Sequence, residues 1–253
     1  GLAGGGSPTD VELHDVNAGG TAEVVDHAVR TGVGRFVLIS SIAVLGPSEL
    51  PLDESATPRP TTAYGRSKLL AERAALRAAR EAGLEVTVVR PGYVFGRDNR
   101  GNFGRMVAAA RVGRFAIPGR EDTLKAGIYL PDLIGLLART LEAPAPPRIV
   151  HAVYPDTPTL LALVRMLHER LAAEPPSRGG SEPRVVPEPL VRAGIAALDM
   201  AARAGISSAA DLSETIHKLR ESSNVVSSVV DGSSWMFGWQ EALDDLLVSR
   251  ADA

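Results

Sequence analysis

The chain has 253 residues, 45% of them hydrophobic, which is enough for the core of one large or two small domains. A formal net charge of −3 gives no basic surface for nucleic acid, and the absence of cysteine excludes disulfides, thiolate catalysis and cysteine-ligated zinc. The five histidines lack metal-ligand spacing, and neither a long apolar run nor a signal-peptide pattern appears, so we expect a cytoplasmic protein with no metal, nucleic-acid or membrane partner.

The glycine-rich opening, residues 1–8, lacks the context of a phosphate-binding loop. No apolar strand precedes the glycines, and Pro8-Thr9-Asp10 favours a turn where a dinucleotide-binding fingerprint needs the start of a helix. The next predicted element is a helix from Val16 to about Thr31, with its apolar residues on one face. We expect that face to pack on a sheet.

An apolar run that ends in two serines follows this helix. Phe36–Ser41 predicts a buried parallel strand with Ser40 and Ser41 at its carboxyl end, where open α/β sheets bind ligands. The chain then predicts a proline-rich loop over 47–60, a helix over 64–82 and a second buried strand over 84–90. Strand, loop, helix and strand form a βαβ unit, which indicates an α/β fold.

Tyr64 and Lys68 form a YxxxK pattern on that helix. Residues four apart lie on one helical face, and an ammonium beside a phenol favours the phenolate, so the pattern predicts a lowered pKa for Tyr64. Such a tyrosine can exchange a proton with a substrate hydroxyl or carbonyl, which is the acid–base step of alcohol–ketone chemistry. Alone the pattern is unspecific, and the alternative is a half-exposed tyrosine beside a solvated lysine.

The second half of the chain has a looser pattern. Helices are predicted over 101–114, 132–142, 157–172, 189–204 and 213–219, strands over 127–130 and 148–153, a turn over 115–119 and a flexible connection over 173–184. No internal repeat is visible.

Five motifs in one order resemble those of the extended short-chain dehydrogenases/reductases of the NAD-dependent epimerase/dehydratase type. They are Asn17-Ala18-Gly19-Gly20-Thr21, Ser40-Ser41 with Val44-Leu45-Gly46, Tyr64 with Lys68, Arg90–Gly96 and Ile128–Leu133. The resemblance continues to the end of the chain, where residues 226–231 resemble the family's closing strand. Gly101-Asn102-Phe103 with Pro118-Gly119 is most similar to the nucleotide-sugar 4-epimerases. It implies a Rossmann-type doubly wound parallel sheet with a smaller C-terminal substrate domain, and NAD or NADP as the cofactor.

The resemblance also carries over a catalytic set of Ser41, Tyr64 and Lys68. Ser41 would polarise the substrate oxygen, Tyr64 would move the proton, and Lys68 would lower the pKa of Tyr64 while it binds the nicotinamide ribose. Asn102 and Lys125 take positions of substrate contacts, Lys125 that of a diphosphate-binding arginine. A lysine ammonium can bind a phosphate as a point charge, but it lacks the two parallel donors of an arginine. The alternative for Lys125 is a solvated side chain without a ligand.

The resemblance implies cofactor contacts at strand ends and glycine turns, among them Ser40 and Arg90. The alternative for Ser40 is that it caps its strand, and the alternative for Arg90 is a salt bridge at the end of its strand. The main chain beyond Arg90 would run beside the nicotinamide. The full set is Gly4, Gly5, Ser40, Tyr64, Lys68, Arg90, Pro91, Gly92 and Val94.

The family's GxxGxxG turn has no counterpart here. Leu2–Gly5 resembles the tail of the family's fourth strand, so we expect the first two or three strands of the nucleotide-binding half to be missing. A truncated or processed chain, a protein completed by another chain, and a natural remnant without catalysis all remain open. In the family, the residue that distinguishes NAD from NADP normally follows the second strand. That strand is among those expected to be missing, so the sequence does not distinguish the two cofactors.

Residues 1–96 are therefore expected to form the remaining Rossmann-type part with the Ser/Tyr/Lys site, and 97–253 to complete the sheet and form the substrate lobe. The resemblance implies a nucleotide-sugar 4-epimerase or 4-ketoreductase; the alternatives are a secondary-metabolite ketone reductase and a non-catalytic fragment. A dehydratase ranks lower because Ser41-Ile42-Ala43 offers no carboxylate for elimination. The implied partners are a small-molecule substrate and a second copy of the chain.

Overall fold

Parallel strand pairing runs through the computed structural model, which describes residues 9–97, 102–113, 115–172 and 183–248. The strands are β1 Arg35–Ile39, β2 Ser48–Leu52, β3 Glu85–Pro91, β4 Tyr93–Phe95, β5 Ala116–Pro118, β6 Gly127–Tyr129, β7 Ile149–Ala152, β8 Arg184–Val186 and β9 Ser223–Val225. The α-helices are α1 Asp10–Leu13, α2 Gly20–Arg30, α3 Ala63–Ala82, α4 Asn102–Arg111, α5 Leu130–Glu142, α6 Leu160–Ala172, α7 Glu188–Arg203, α8 Ser207–Arg220 and α9 Trp239–Val248.

The central sheet has the order β1-β3-β7, and both of its pairings are parallel. Alternate side chains of a strand face opposite sides of the sheet. Leu38 and Val88 pack against α2 and α3, whereas Val89 packs against Leu133 and Leu136 of α5. Helices therefore cover both faces, and the prediction of a doubly wound α/β fold is confirmed. Within the described residues, β1 pairs with β3 alone.

Helix α3 carries the YxxxK pattern and has well-defined ends. The Thr62 side chain accepts a hydrogen bond from the Gly65 N–H at 3.1 Å, which satisfies a donor of the first turn. Gly83 ends the helix in the left-handed conformation at φ 69°. Ala71 and Ala75 lie fully buried against the sheet, so small side chains bring the helix close to β1 and β3.

The helical segment before β1 begins earlier than predicted. Thr9 and Glu12 form a capping box, so the segment starts at Asp10, and a π-helical stretch His14–Gly19 joins α1 to α2. Asn17 lies in that stretch and donates through Nδ2 to Ser67 Oγ at 3.1 Å, which ties the segment to α3.

Three two-stranded parallel pairs, β2-β9, β4-β6 and β5-β8, lie outside the central sheet. Stacked aromatic side chains fill the core beside β4 and β6: the rings of Phe95 and Trp239 stack at 5.0 Å. The predicted turn over 115–119 contains strand β5, which pairs with β8, a strand that was not predicted and that begins at the last residue of the predicted flexible connection. These short strands were missed because pairing across the chain, not local pattern, forms them.

Two further predictions for the C-terminal part were wrong in their bounds. Helix α8 begins at Ser207 and not at Ser213. The closing strand predicted over 226–231 is β9, three residues earlier. Ser227 and Ser228 bind the Glu54 carboxylate, so those residues are held by a side chain and not by a ladder.

None of the helices in the described part of the chain is both long and apolar enough for a bilayer crossing.

Strand β7 comes from the second predicted part of the chain, residues 97–253, and lies in the same sheet as β1 and β3. The boundary between residues 96 and 97 stays a prediction.

Candidate active site

A cavity of about 400 Å³ opens at the carboxyl ends of β1 and β3, beside the start of α3. Ligands of open α/β sheets bind at such strand ends. Its polar side chains include those of the predicted catalytic set, Ser41, Tyr64 and Lys68, so the end of β1 and the start of α3 meet at one place. The other lining residues are Ile39, Ser40, Pro91, Gly92, Tyr93, Val94 and Leu133.

Ser41 follows β1 in an extended conformation. Its Oγ accepts a hydrogen bond from the Ala43 N–H at 3.1 Å, which caps the 3-10 turn Ile42–Val44. Its side chain also forms a hydrogen bond with Tyr64. The main chain thus orients the Ser41 hydroxyl toward the phenol.

Tyr64 lies in the first turn of α3 and keeps 41% of its surface exposed. Burial raises the pKa of Tyr64, and the hydrogen bond with Ser41 lowers it by less, so the pKa lies above its usual value. The predicted lowering of the Tyr64 pKa by Lys68 is therefore wrong for this structure. Burial outweighs the opposing hydrogen bond, and the Lys68 ammonium is bound to another group.

That group is the Ile39 carbonyl oxygen, to which Lys68 Nζ donates at 2.9 Å. Burial lowers the pKa of Lys68, and the Glu72 carboxylate one helical turn away opposes the shift without cancelling it. An ammonium has three donors, and this hydrogen bond uses one of them. Lys68 is therefore fixed at the end of β1 with donors left for a ligand.

Arg90 lies behind the cavity wall, 2% exposed, and pairs with Glu72 through two hydrogen bonds. Nε donates to Oε1 at 2.9 Å, and Nη2 donates to Oε2 at 2.7 Å. Ser40 Oγ donates to the same Oε1 at 2.5 Å, so the Ser40 hydroxyl is directed into the protein. The salt bridge weighed for Arg90 is present, and the cofactor contacts of Ser40 and Arg90 stay predictions.

The segment from Pro91 to Val94 forms one wall of the cavity, as predicted for the residues beside the nicotinamide. Gly92 lies close to the neighbouring chain: a Cβ there would lie 2.7 Å from the Ala126 carbonyl oxygen and 2.9 Å from Val153 Cγ1. The wall therefore requires glycine at this position. Binding of cofactor to this wall stays a prediction.

Lys125 is not among the residues that line this cavity. Its ammonium donates to the carbonyl oxygens of Lys218 at 2.9 Å and Glu221 at 2.7 Å, at the C-terminal end of α8. Burial lowers the pKa of Lys125 to about 8, although Glu221 opposes the shift. The ammonium predicted to meet a diphosphate thus has main-chain partners in this structure.

Three of the predicted contacts cannot be placed. Gly4 and Gly5 lie outside the described residues, and Asn102 begins α4 but its side chain lies outside the described part.

Among the described residues, no three His, Asp or Glu side chains are grouped to hold a metal ion.

Sequence reasoning gave no site role to Leu133 or Glu72. Glu72 follows Lys68 by four residues and shares its helical face, a signal that the sequence does contain. Leu133 had no such signal, because α5 reaches the cavity only through its packing on β1 and β3.

The sequence model of the NAD dependent epimerase/dehydratase family matches residues 6–150. A similar relative is the N-acetyl-alpha-D-glucosaminyl-diphospho-ditrans,octacis-undecaprenol 4-epimerase of Escherichia coli O157:H7, 30% identical over 54% of this chain and 41% of that protein. Another is the UDP-glucose 4-epimerase of Vibrio cholerae, 33% identical over 51% of this chain and 41% of that protein. The matches thus span less than half of either relative.

A solved structure of UDP-glucuronic acid 4-epimerase from Bacillus cereus, in complex with NAD, is similar in fold. The TM-score is 0.68 at 14% identity, over 94% of this chain and 69% of that one. At this identity the likeness concerns the fold alone.

Proposed function

The chain belongs to the NAD dependent epimerase/dehydratase family, and from this premise we propose that it is an NAD- or NADP-dependent enzyme acting on a nucleotide-sugar. It would be a 4-epimerase or a 4-ketoreductase with Tyr64 as acid and base. The observation that carries the proposal is the convergence of Ser41, Tyr64 and Lys68 on one cavity. The names of the relatives supply the substrate class. Because the chain spans less than half of their length, its own activity is part of the proposal.

The residues of the cavity fit the nicotinamide end of such a cofactor. Ile39, Val94 and Leu133 provide an apolar surface for a flat ring, and Tyr64 and Lys68 provide hydrogen-bonding groups for ribose hydroxyls. The bound nicotinamide would supply acceptance and return of a hydride, which no protein side chain supplies. The main chain of the wall after β3 would orient the ring.

Tyr64 would hold the proton that the substrate oxygen gains or loses. With a raised pKa, the phenol is protonated at neutral pH and is ready to act as an acid toward a ketone. Ser41 hydrogen-bonds the phenol and would polarise the same substrate oxygen. For the reverse step, a ligand that draws the Lys68 ammonium toward Tyr64 would favour the phenolate.

An epimerase and a ketoreductase differ in the step after the first transfer. In an epimerase the 4-keto sugar stays bound and turns over within the site, so that the hydride returns to its other face. In a ketoreductase the product leaves after one transfer. Both use the same proton chemistry at Tyr64, so the proposal covers both.

A second candidate is a ketone reductase whose substrate carries no nucleotide. One observation favours it: the Lys125 ammonium is bound to main-chain carbonyls of α8 and is not presented to the cavity. Such an enzyme would be indifferent to UDP and TDP. Competition of each nucleotide with the substrate separates the two candidates.

The test is a fluorescence titration of the purified chain with NADH and with NADPH, followed by turnover assays with UDP-sugars. Micromolar binding and turnover would support the proposal. Binding of neither dinucleotide would overturn it for this chain and favour the non-catalytic alternative. Light scattering of the same sample tests the expected homodimer.

A further inference from the structure

One face of α3 binds three consecutive residues at the end of β1. Lys68 donates to the Ile39 carbonyl, Glu72 accepts from the Ser40 hydroxyl, and Tyr64 hydrogen-bonds the Ser41 side chain. The three helix residues are spaced by four and therefore lie in one row. The row continues the catalytic set by one residue, Glu72, to which the proposed function gives no part.

Glu72 is 1% exposed and uses both carboxylate oxygens. One oxygen accepts from Ser40 Oγ and Arg90 Nε, and the other accepts from Arg90 Nη2. Ser40 directly precedes Ser41, and Arg90 directly precedes the wall that starts at Pro91. One carboxylate therefore joins α3 to the ends of both strands that frame the cavity.

A buried carboxylate is costly unless its charge is paired and its lone pairs are used. Arg90, 2% exposed, supplies the pairing, and its Nη1 has no partner among the described residues. Replacing such a pair by apolar residues is often harmless to folding, whereas removing one partner is not. Stability alone therefore does not explain why a charged pair stands behind the cavity.

We propose that Glu72 is a positioning residue of this site: it fixes the ends of β1 and β3 against α3 and keeps a negative charge one helical turn from Lys68. The inference deepens the proposed function and rests on it for its catalytic meaning. The charge favours the ammonium form of Lys68, and the hydrogen bond to Ser40 holds Ser41 beside Tyr64.

The groups that face Lys68 make this assignment specific. Tyr64 and Glu72 approach it from its own helix, the Ile39 carbonyl from β1, and Arg90 lies behind Glu72 on β3. Among these, Glu72 is the anion, and its field opposes the effect of burial on the Lys68 pKa. Without that charge, burial acts alone and the pKa of Lys68 falls further.

The chain has only three lysines, Lys68, Lys125 and Lys218, so their titration can be followed individually. Protein labelled with 13C-lysine gives three side-chain signals, and variants Lys125→Arg and Lys218→Arg assign the third to Lys68. The signal is titrated in the unmodified chain and in Glu72→Gln, an isosteric change that removes the charge. Glu81→Gln, an exposed position on the same helix, is the matched control.

The expected result is a lower titration midpoint for Lys68 in Glu72→Gln, with the midpoint unchanged in Glu81→Gln. An unchanged midpoint in folded Glu72→Gln would overturn the proposal. If Glu72→Gln does not fold, the double variant Glu72→Met with Arg90→Met removes the pair together. A folded double variant with the midpoint of the unmodified chain would overturn the proposal equally.

The titration needs neither cofactor nor turnover, so its outcome is distinguishable from a failure of the proposed function. If the midpoint is lowered but the chain binds no dinucleotide, the role of Glu72 at Lys68 is supported. The absence of dinucleotide binding then refutes only the proposed enzyme. Where turnover is present, Glu72→Gln should shift the alkaline limb of the pH–rate profile to lower pH. A purely structural residue would lower the amount of folded enzyme and leave that limb in place.

Discussion

Gly65 lies directly against the main chain of Ala43, so closely that a Cβ at Gly65 would overlap the Ala43 carbonyl oxygen. Gly65 follows Tyr64, and Ala43 belongs to the turn that Ser41 caps. This contact therefore sets the separation of Tyr64 and Ser41. It explains why glycine stands inside the YxxxK pattern, in the first turn of a helix.

Gly65→Ala should push α3 away from this turn. We expect a loss of about 1–3 kcal/mol in the free energy of unfolding, as for other overpacked sites, and a lower turnover. Urea unfolding measures the first and a steady-state assay the second. Gly194→Ala is the control, because Gly194 is an exposed helical glycine with nothing near a Cβ, and it should gain about 0.5–1 kcal/mol. Equal stability of the two variants would contradict the close contact.

Tyr64→Phe should remove the proton donor and leave the fold intact. We expect turnover to fall by about 10²–10⁴-fold, the usual contribution of a general acid. Thermal unfolding should change little, because Tyr64 is 41% exposed. Tyr129→Phe is the converse control: its hydroxyl donates to Asp245 at 2.5 Å, away from the cavity, so it should lower stability and spare turnover. Retained turnover in Tyr64→Phe would refute the acid–base assignment.

Lys125→Ala should act on stability more than on ligand affinity. The variant loses two hydrogen bonds to carbonyl oxygens at the end of α8, which we expect to cost about 1–3 kcal/mol in the free energy of unfolding. The affinity for UDP, measured by calorimetry, should stay within about twofold, since less than about 0.5 kcal/mol would separate the two proteins. A large loss of UDP affinity would instead support the diphosphate contact that the resemblance implies.

Glu54 should make the stability of the protein depend on acid pH. Burial raises the pKa of Glu54, but hydrogen bonds from Ser227, Ser228 and the His151 N–H outweigh it and lower the pKa to about 2. The folded-state pKa thus lies below the unfolded one, which is about 4.3. The stabilisation is complete above about pH 4.3 and is lost as the pH falls through about 2.

The measurement for Glu54 is urea unfolding of the unmodified chain and of Glu54→Gln at several pH values. At pH 7 the variant should be less stable by about 1–2 kcal/mol, which is less than the whole pKa shift would give because solvent partly screens this carboxylate. The difference should shrink steadily between about pH 4 and pH 2, because the unmodified carboxyl also becomes neutral there. A difference that is independent of pH would show that Glu54 is not held as a carboxylate.

The strongly patterned elements were predictable from the sequence because their signals are local. The run Phe36–Ser41 is apolar and ends in serines, and the helix from Tyr64 has an N-cap before it and a glycine after it. Strands β5 and β8 have no such pattern. Each is three residues long and exists because the other pairs with it, so tertiary packing decides them.

The sequence by itself determined the family, the α/β class and the candidate set of Ser41, Tyr64 and Lys68, since order and spacing of motifs are properties of the chain. It could not determine which partner each polar group takes. Lys68 binds the Ile39 carbonyl, Arg90 binds Glu72, and the pKa of Tyr64 is raised and not lowered. Burial and hydrogen bonding arise only when distant segments meet, so the electrostatics of the site belong to the tertiary structure.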